Sequence, residues 1–166
     1  GFVMLDLDTH DDICRRLCVG SNRVVVSVDY RLAPEHPFPA APEDCLSAVL
    51  QVIEQATKLN IDKSRIALAG DSAGACLAAV TAWRLSQSHP QLVQALLLFY
   101  PVTDAPDPYR ESYQKFGQGF GLSVDGMQWF WNQYMCNYND HQHPHAAPLR
   151  APNLQDMPRT YIVTAG

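Results

Sequence analysis

Residues 65–77 constrain the fold of this chain more strongly than any other stretch of its sequence. They include the short apolar run IALA, the pentapeptide GDSAG at positions 70–74, and then residues that favour helices. This order predicts a β-strand, a tight turn and an α-helix, with Ser72 at the apex of the turn. A serine in that position projects its hydroxyl above the end of a sheet, as an attacking nucleophile requires.

The neighbours of Ser72 suit this role for separate reasons. Glycine is expected at positions 70 and 74 because a side chain at Gly70 or Gly74 would collide with the neighbouring element. The backbone N–H of Ala73 would lie at the start of the helix, where unpaired amides and the helix dipole stabilise a developing oxyanion. The same pentapeptide pattern occurs in plain surface turns, but the flanking strand and helix favour a nucleophilic serine.

Composition and charge exclude several classes of protein. Of the 166 residues, 47% are hydrophobic and 17% are charged, which predicts one ordered domain with a buried core. The net charge is −5 and no run of Lys or Arg occurs, so nucleic acid and anionic membranes are not expected partners. The apolar runs are too short to span a bilayer and no basic leader is visible. We therefore expect a soluble, cytoplasmic protein.

The five cysteines give no sign of a disulfide framework or a metal site. They are an odd number, and none of them forms a CxxC pair. Most have apolar neighbours in the sequence, so the pattern favours buried free thiols. The cysteines are Cys14, Cys18, Cys45, Cys76 and Cys136.

Strand-like and helix-like segments alternate along the chain. Helices are predicted at residues 9–19, 43–59 and 123–138 and after the GDSAG turn, and strands at 23–30, 65–69, 95–100 and 160–164. The first helix would be capped by Thr9 and stopped by Gly20. Residues 101–121 would be irregular. Four strands separated by helices or long crossings predict an α/β fold with a mostly parallel sheet covered on both faces.

Several motifs, taken together and in order, resemble the hormone-sensitive-lipase-like branch of the α/β-hydrolase fold, the bacterial family IV esterases. They are GFV at 1–3, DYRLAPE at 29–35, PFPAA at 37–41, GDSAG at 70–74 and YP at 100–101. The resemblance implies a carboxylic-ester hydrolase that needs no cofactor or metal and acts on small esters. It also implies that Ser72 is the nucleophile, that Ala73 and Gly1 supply oxyanion-hole amides, and that Gly70, Asp71 and Gly74 complete the elbow.

The resemblance also implies that residues 1–166 form an incomplete catalytic domain. The family's acid follows the strand that matches residues 160–164, its histidine follows one further strand, and most of its HGGG motif precedes Gly1. We therefore expect a core fragment that is inactive alone, because a serine hydroxyl is a poor nucleophile without a base. Exposed sheet edges are expected to make the fragment unstable or prone to associate, for example as a homodimer.

Other candidate site residues have two interpretations each. Asp104 follows a predicted strand and could be an acid, although a turn cap in TDAP is favoured. His141, His143 and His145 could bind a metal or act as a base, but their spacing around a proline favours a surface loop. Asp71, next to the nucleophile, is expected to brace the elbow.

Three further expectations concern packing. Arg31 and Glu35 are expected to form a structural ion pair. Ala75 and Cys76 stand where this branch has glycine and asparagine, which affects helix packing more than chemistry. An aromatic-rich set could line a pocket for short to medium acyl chains or belong to the core. Its members are Phe116, Phe120, Leu122, Met127, Trp129, Phe130 and Trp131.

A non-catalytic, receptor-like binding protein on the same fold is the alternative function, since fold alone does not fix function. The intact Ser72 elbow favours the enzyme.

Overall fold

The sheet at the centre of the molecule has three parallel strands. The computed structural model describes residues 1–135 and 138–164. The strands are β1 (Ile66–Asp71), β2 (Val93–Phe99) and β3 (Arg159–Val163), in the order β1-β2-β3. Leu68 lies opposite Leu96, which lies opposite Thr160, so β2 is hydrogen-bonded on both sides. The predicted parallel α/β architecture is therefore present.

Helices connect and cover these strands. They are α1 (Leu7–Ser21), α2 (Ala40–Glu54), α3 (Ala56–Leu59), α4 (Ala73–Ser88), α5 (Glu111–Phe116) and α6 (Val124–Tyr134). Two short 3₁₀ helices follow, Tyr138–Gln142 and Pro148–Arg150. Helix α4 lies against β1 and β2, and α2 packs on α4. Helix α5 lies in the stretch 101–121 for which the sequence predicted no regular structure. None of the helices in the described ranges is long and apolar enough to cross a membrane.

Helix α4 joins two parts of the core. Its small residues allow close approach to the sheet, where Ala75, Ala78, Ala79 and Ala82 pack with Leu96 and Leu98. Its other side contributes Cys76, Leu77 and Val80 to a cluster with Phe2, Trp131 and Tyr134. In that cluster the rings of Phe2 and Tyr134 stack at 3.9 Å between centroids. The helix that begins at the GDSAG turn is therefore the most deeply buried in the described chain.

Helix α1 begins at Leu7, so the prediction that Thr9 caps it was wrong. Its N-cap is Asp6, whose side chain accepts a 3.0 Å hydrogen bond from the Thr9 N–H, while the Thr9 hydroxyl accepts from the Asp6 N–H. This reciprocal capping box satisfies two amides that would otherwise be unpaired. The helix continues past Gly20 and ends at Asn22, which adopts a left-handed conformation with φ of 51°.

The strand predicted at residues 23–30 is not part of the sheet. The segment has no regular secondary structure and pairs with no strand, and Val24 and Val26 are 68% and 50% exposed. A cavity of about 400 Å³ separates it from β1. A β-strand needs a hydrogen-bonded neighbour about 4.8 Å away, which a run of branched residues does not guarantee. The prediction of four strands was therefore wrong, and the described sheet has three.

The predicted ion pair between Arg31 and Glu35 was also wrong, because Arg31 has a different partner. Arg31 binds Asp44 of α2 instead, through Nε at 2.9 Å and a terminal guanidinium nitrogen at 2.8 Å, and its backbone N–H donates to the same carboxylate. The guanidinium hydrogen bond and charge of Arg31 lower the pKa of Asp44 despite partial burial. The pair ties the proline-rich crossing to α2.

The four described cysteines are free thiols, as the sequence predicted. Their burial differs, since Cys76 is buried, Cys14 and Cys45 are partly buried, and Cys18 is exposed. The expectation of burial therefore fails at Cys18, which lies on the solvent side of α1. Cys136 lies outside the described residues.

Candidate active site

Ser72 lies at the junction between β1 and α4, at the apex of a strand–turn–helix unit. Its φ and ψ are 52° and −117°, which is a strained conformation for a residue with a side chain. The Ser72 N–H donates a 2.9 Å hydrogen bond to the Phe99 carbonyl at the end of β2. Its own carbonyl accepts from the N–H groups of Val102 and Cys76. The predicted turn is present, and backbone contacts on both sides hold it in place.

The two glycines of the turn are not equivalent. A Cβ on Gly70 would lie 2.6 Å from the Ala75 nitrogen and closer still to the Gly74 carbonyl, so only glycine fits there. A Cβ on Gly74 would meet only an Asp71 carboxylate oxygen at 4.0 Å, which is an ordinary contact. The expected collision is therefore confirmed at Gly70, whereas the expectation for Gly74 was wrong. Gly74 is inside α4, and its missing side chain would extend toward Asp71 rather than into the strand.

The predicted oxyanion-hole residues lie close to this turn. Ala73 is the first residue of α4, and the first amides of a helix have no intrahelical acceptor. Gly1 shares a cavity lining with Gly70 and Asp71 and accepts a 3.1 Å hydrogen bond from the Tyr30 hydroxyl. The roles of Ala73 and Gly1 as oxyanion-hole donors stay predictions.

The cavity itself is not a substrate pocket in front of the serine. It lies between β1 and the unpaired segment 23–30, with α1, α2 and α4 around it, and Ser72 does not line it. The cavity occupies the space beside β1 where no neighbouring strand is paired.

Asp71 has a partner that the sequence did not reveal. The His10 Nε2 lies 3.3 Å from an Asp71 carboxylate oxygen, and the His10 Nδ1 is 3.0 Å from the Thr9 hydroxyl. This contact ties the N-terminal turn of α1 to the elbow and agrees with a bracing role for Asp71. No local sequence signal marks His10, because the contact joins residues far apart in the chain.

Asp104 is fully engaged by arginines. Its side chain is 4% exposed, and Arg110 and Arg150 both bind its carboxylate. It also accepts the Ala105 N–H, as the predicted turn cap would. Because these groups occupy both carboxylate oxygens, Asp104 is not placed to orient a catalytic histidine.

The three closely spaced histidines pack against aromatic rings. His141 contacts Trp131, His143 contacts Phe38, and His145 contacts Trp83 and His143. His143 is exposed, but His141 and His145 are half-buried, so the surface-loop prediction holds only for His143. Within residues 1–135 and 138–164, no group of three His, Cys, Asp or Glu side chains is arranged to hold a metal ion.

Among the hydrogen bonds of the described residues, none joins the Ser72 hydroxyl to a histidine or carboxyl side chain. Cys76 does not substitute as a nucleophile, since it is fully buried and its thiol lies 3.3 Å from the Ala146 carbonyl. Burial raises the pKa of Cys76 to about 12. Ala75 is also fully buried, so both unusual residues pack well.

The aromatic-rich segment does not form one pocket. Trp131 is 2% exposed and belongs to the core with Phe2 and Tyr134. Phe116, Phe120, Leu122 and Trp129 are between 46% and 70% exposed on and near α5 and α6. These side chains form an apolar surface instead of an enclosed site.

Comparison with known proteins identifies the family to which this chain belongs. The α/β-hydrolase fold family model matches residues 1–166. The chain belongs to this family. Esterase LipI of Mycobacterium tuberculosis is 45% identical over 167 residues, which cover 100% of this chain and 52% of that protein. Ethyl acetate hydrolase of Pseudomonas putida is 39% identical over 90% of this chain and 47% of its own length. The chain thus spans about half the length of these curated relatives.

Solved structures of this family agree with the described fold. A hyperthermophilic esterase from the archaeon Pyrobaculum calidifontis has a TM-score of 0.92 and 41% identity, over 97% of this chain and 52% of that one. EstE1, a thermostable carboxylesterase cloned from a metagenomic library, has a TM-score of 0.90 and 36% identity, over 99% of this chain and 66% of that one. These structural similarities cover nearly the whole chain, so the resemblance predicted from short motifs extends to the fold.

Proposed function

We propose that residues 1–166 are the central part of the catalytic domain of a serine carboxylesterase, with Ser72 as its nucleophile. The observation that carries this proposal is the strained backbone of Ser72, with φ of 52°, between a parallel strand and a buried helix. Strain of this kind concentrates at functional sites, where surrounding contacts maintain it. The esterase names of the relatives support the same reaction class.

The reaction begins when Ser72 Oγ bonds to the ester carbonyl carbon and its proton passes to a base. The carbonyl oxygen becomes an oxyanion, to which the backbone N–H groups of Ala73 and Gly1 donate. Collapse of this intermediate expels the alcohol, which takes up the proton, and leaves an acyl group on Ser72. Water then cleaves the acyl ester by the same steps and releases the acid.

The base and its orienting acid are assigned to the parent protein outside these residues. No hydrogen bond within the described residues joins Ser72 Oγ to a basic side chain, and Asp104 is held by two arginines. A histidine that takes the serine proton and a carboxylate that orients it complete the set. The isolated chain is accordingly expected to be inactive.

The substrates are small esters with short to medium acyl chains. One relative is named for ethyl acetate, whose acyl group has two carbons. In the full-length parent, p-nitrophenyl butyrate should be hydrolysed faster than p-nitrophenyl palmitate. Faster turnover of the palmitate ester would contradict this preference.

A fluorophosphonate probe tests the nucleophile directly in the full-length parent. The probe should label the wild type and the control Ser88→Ala, which changes an exposed serine at the end of α4. It should not label Ser72→Ala. A folded parent that stays unlabelled would contradict the enzyme and support the receptor-like binding protein on the same fold.

The location and the partners of the protein are also part of this proposal. The four described cysteines are free, which suits a reducing compartment such as the cytoplasm. The net charge of −5 argues against nucleic acid as a partner. Pairing of two copies through an exposed sheet edge would give a homodimer.

A further inference from the structure

We propose that Asp104 is a positioning residue for Ser72, acting through a clamp formed by Asp104, Arg110 and Arg150. This Asp104 clamp holds the loop that follows β2, and the loop in turn holds the backbone of the nucleophile. The inference rests on the proposed role of Ser72. It assigns a function to a buried carboxylate that takes no part in the chemistry.

The clamp is a dense set of charge-assisted hydrogen bonds. Arg150 binds the carboxylate as a fork, with its Nε 3.0 Å from one oxygen and a terminal nitrogen 2.8 Å from the other. Arg110 adds a 2.7 Å bond, and the Ala105 N–H adds one of 3.0 Å. A bidentate arginine fixes both distance and orientation. The loop that follows β2 and the distant segment around Arg150 therefore meet at one carboxylate.

The Asp104 carboxylate remains charged in this setting. Burial opposes its ionisation, but the hydrogen bonds from Arg150 and the Ala105 N–H and the charges of both arginines lower its pKa. A buried charge with these partners is costly to break, because removing one partner leaves the other uncompensated. The loop around Asp104 is therefore held firmly at the pH values where esterases are assayed.

Two residues on either side of Tyr100, one at the end of β2 and one in the clamped loop, contact the backbone of Ser72. Phe99 accepts the Ser72 N–H at 2.9 Å, and the Val102 N–H donates to the Ser72 carbonyl at 3.3 Å. Thr103, next to Asp104, accepts a 3.0 Å hydrogen bond from Leu149, next to Arg150. Next to the clamp, this backbone hydrogen bond therefore also joins the loop after β2 to the segment around Arg150.

Tyr100 explains why this loop needs to be held. Its φ is 37°, which a bulky residue adopts only when surrounding contacts impose it. On one side its N–H donates to the Val163 carbonyl of β3 at 2.7 Å. On the other side the Asp104 clamp prevents the loop from relaxing. If the clamp opens, Val102 moves and the Ser72 carbonyl loses a hydrogen bond.

The test uses Asp104→Asn and Arg150→Lys in the full-length parent, assayed with p-nitrophenyl butyrate well below the melting temperature of each variant. Asp104→Asn should lower kcat about 10- to 100-fold with KM nearly unchanged, since a small misplacement of a reacting group has an effect of this size. Arg150→Lys keeps the charge but loses the fork, so its kcat should be intermediate. A lower melting temperature with unchanged kcat would show a purely structural clamp and overturn the inference.

A matched control is Asp44→Asn, which removes the bidentate Arg31–Asp44 pair elsewhere in the molecule. Its kcat should equal that of the wild type. A kcat loss near 10⁴-fold in Asp104→Asn would instead identify a triad acid and overturn the positioning role.

Amide hydrogen exchange on the same variants provides a measurement independent of catalysis. The Val102 amide should exchange faster in Asp104→Asn than in the wild type or Asp44→Asn. Unchanged exchange would overturn the clamp. Failure of the proposed function has a different signature, namely a wild-type parent that neither hydrolyses esters nor is labelled at Ser72, whatever its exchange rates.

Discussion

The absence of a Cβ atom at Gly70 determines the geometry of the turn. The end of β1 and the start of α4 approach so closely that a Cβ at this position would overlap the Gly74 carbonyl. The close approach is what raises Ser72 to the apex with a positive φ. A conformation imposed in this way is stable only while the backbone contact persists.

Gly70→Ala should therefore destabilise the fold. We expect the free energy of unfolding to fall by about 1–3 kcal/mol or more, since neither neighbour of the added methyl group is a flexible side chain. Urea denaturation measures the change. Gly20→Ala is the control, because a Cβ there meets nothing within 4 Å and α1 should gain about 0.5–1 kcal/mol. Equal effects of the two substitutions would contradict the steric argument.

Among the elements, β3 is the least protected. It pairs with β2 on one side, and Tyr161, Ile162 and Val163 are 55%, 60% and 47% exposed. An exposed apolar strand with an unpaired edge can hydrogen-bond to a second chain. By contrast, β2 is enclosed between two strands and a helix, and the unpaired side of β1 faces the cavity lined by α1 and the segment 25–30. Association should therefore depend on β3.

Ile162→Lys should reduce self-association of the isolated chain. A lysine on an exposed strand opposes pairing, because its charge would have to be brought beside another chain. Sedimentation velocity over a range of concentrations measures the effect. The control Val19→Lys makes a similar change at an 83% exposed position of α1. If both variants lower association equally, general solubility rather than the β3 edge is responsible.

At the scale of the whole molecule, the segment after α6 joins distant parts through histidines. His145 packs on Trp83 of α4 and lies near Arg84 and Glu43. Burial lowers the pKa of His145, and the charges of Arg84 and His143 lower it further, against the opposing effect of Glu43. Burial also lowers the pKa of His141, with Asp140 opposing. The folded chain therefore favours neutral imidazoles at both positions.

Acidification should destabilise the fold as the pH falls through about 6.5, the usual histidine value. The unfolded chain takes up protons there more readily than the folded chain, so the free energy of unfolding decreases. Urea midpoints at about pH 7.5 and about pH 5.5 test this sign, because ordinary carboxyl groups stay ionised in that range. His145→Gln should weaken the dependence, whereas His89→Gln, at an exposed position, should not. A midpoint that rises on acidification would contradict the assignment.

The sequence alone determined the local units. An apolar run, a glycine-flanked serine and helix-forming residues were enough to predict the β1–turn–α4 unit, because its interactions join residues close together in the chain. Alternating strand-like and helix-like segments likewise predicted the parallel α/β class. The family resemblance, which the matched family model confirms, rests on motifs of the same local kind.

Only the tertiary structure decided which partners distant residues have. It paired Arg31 with Asp44, joined Asp104 to Arg150, placed His10 beside Asp71, and left residues 23–30 without a neighbouring strand. Hydrophobic periodicity reports which side of a segment tends to be buried, but a hydrogen bond or ion pair needs a second group at a fixed distance. That distance depends on how the whole chain packs, so no local pattern in the sequence encodes it.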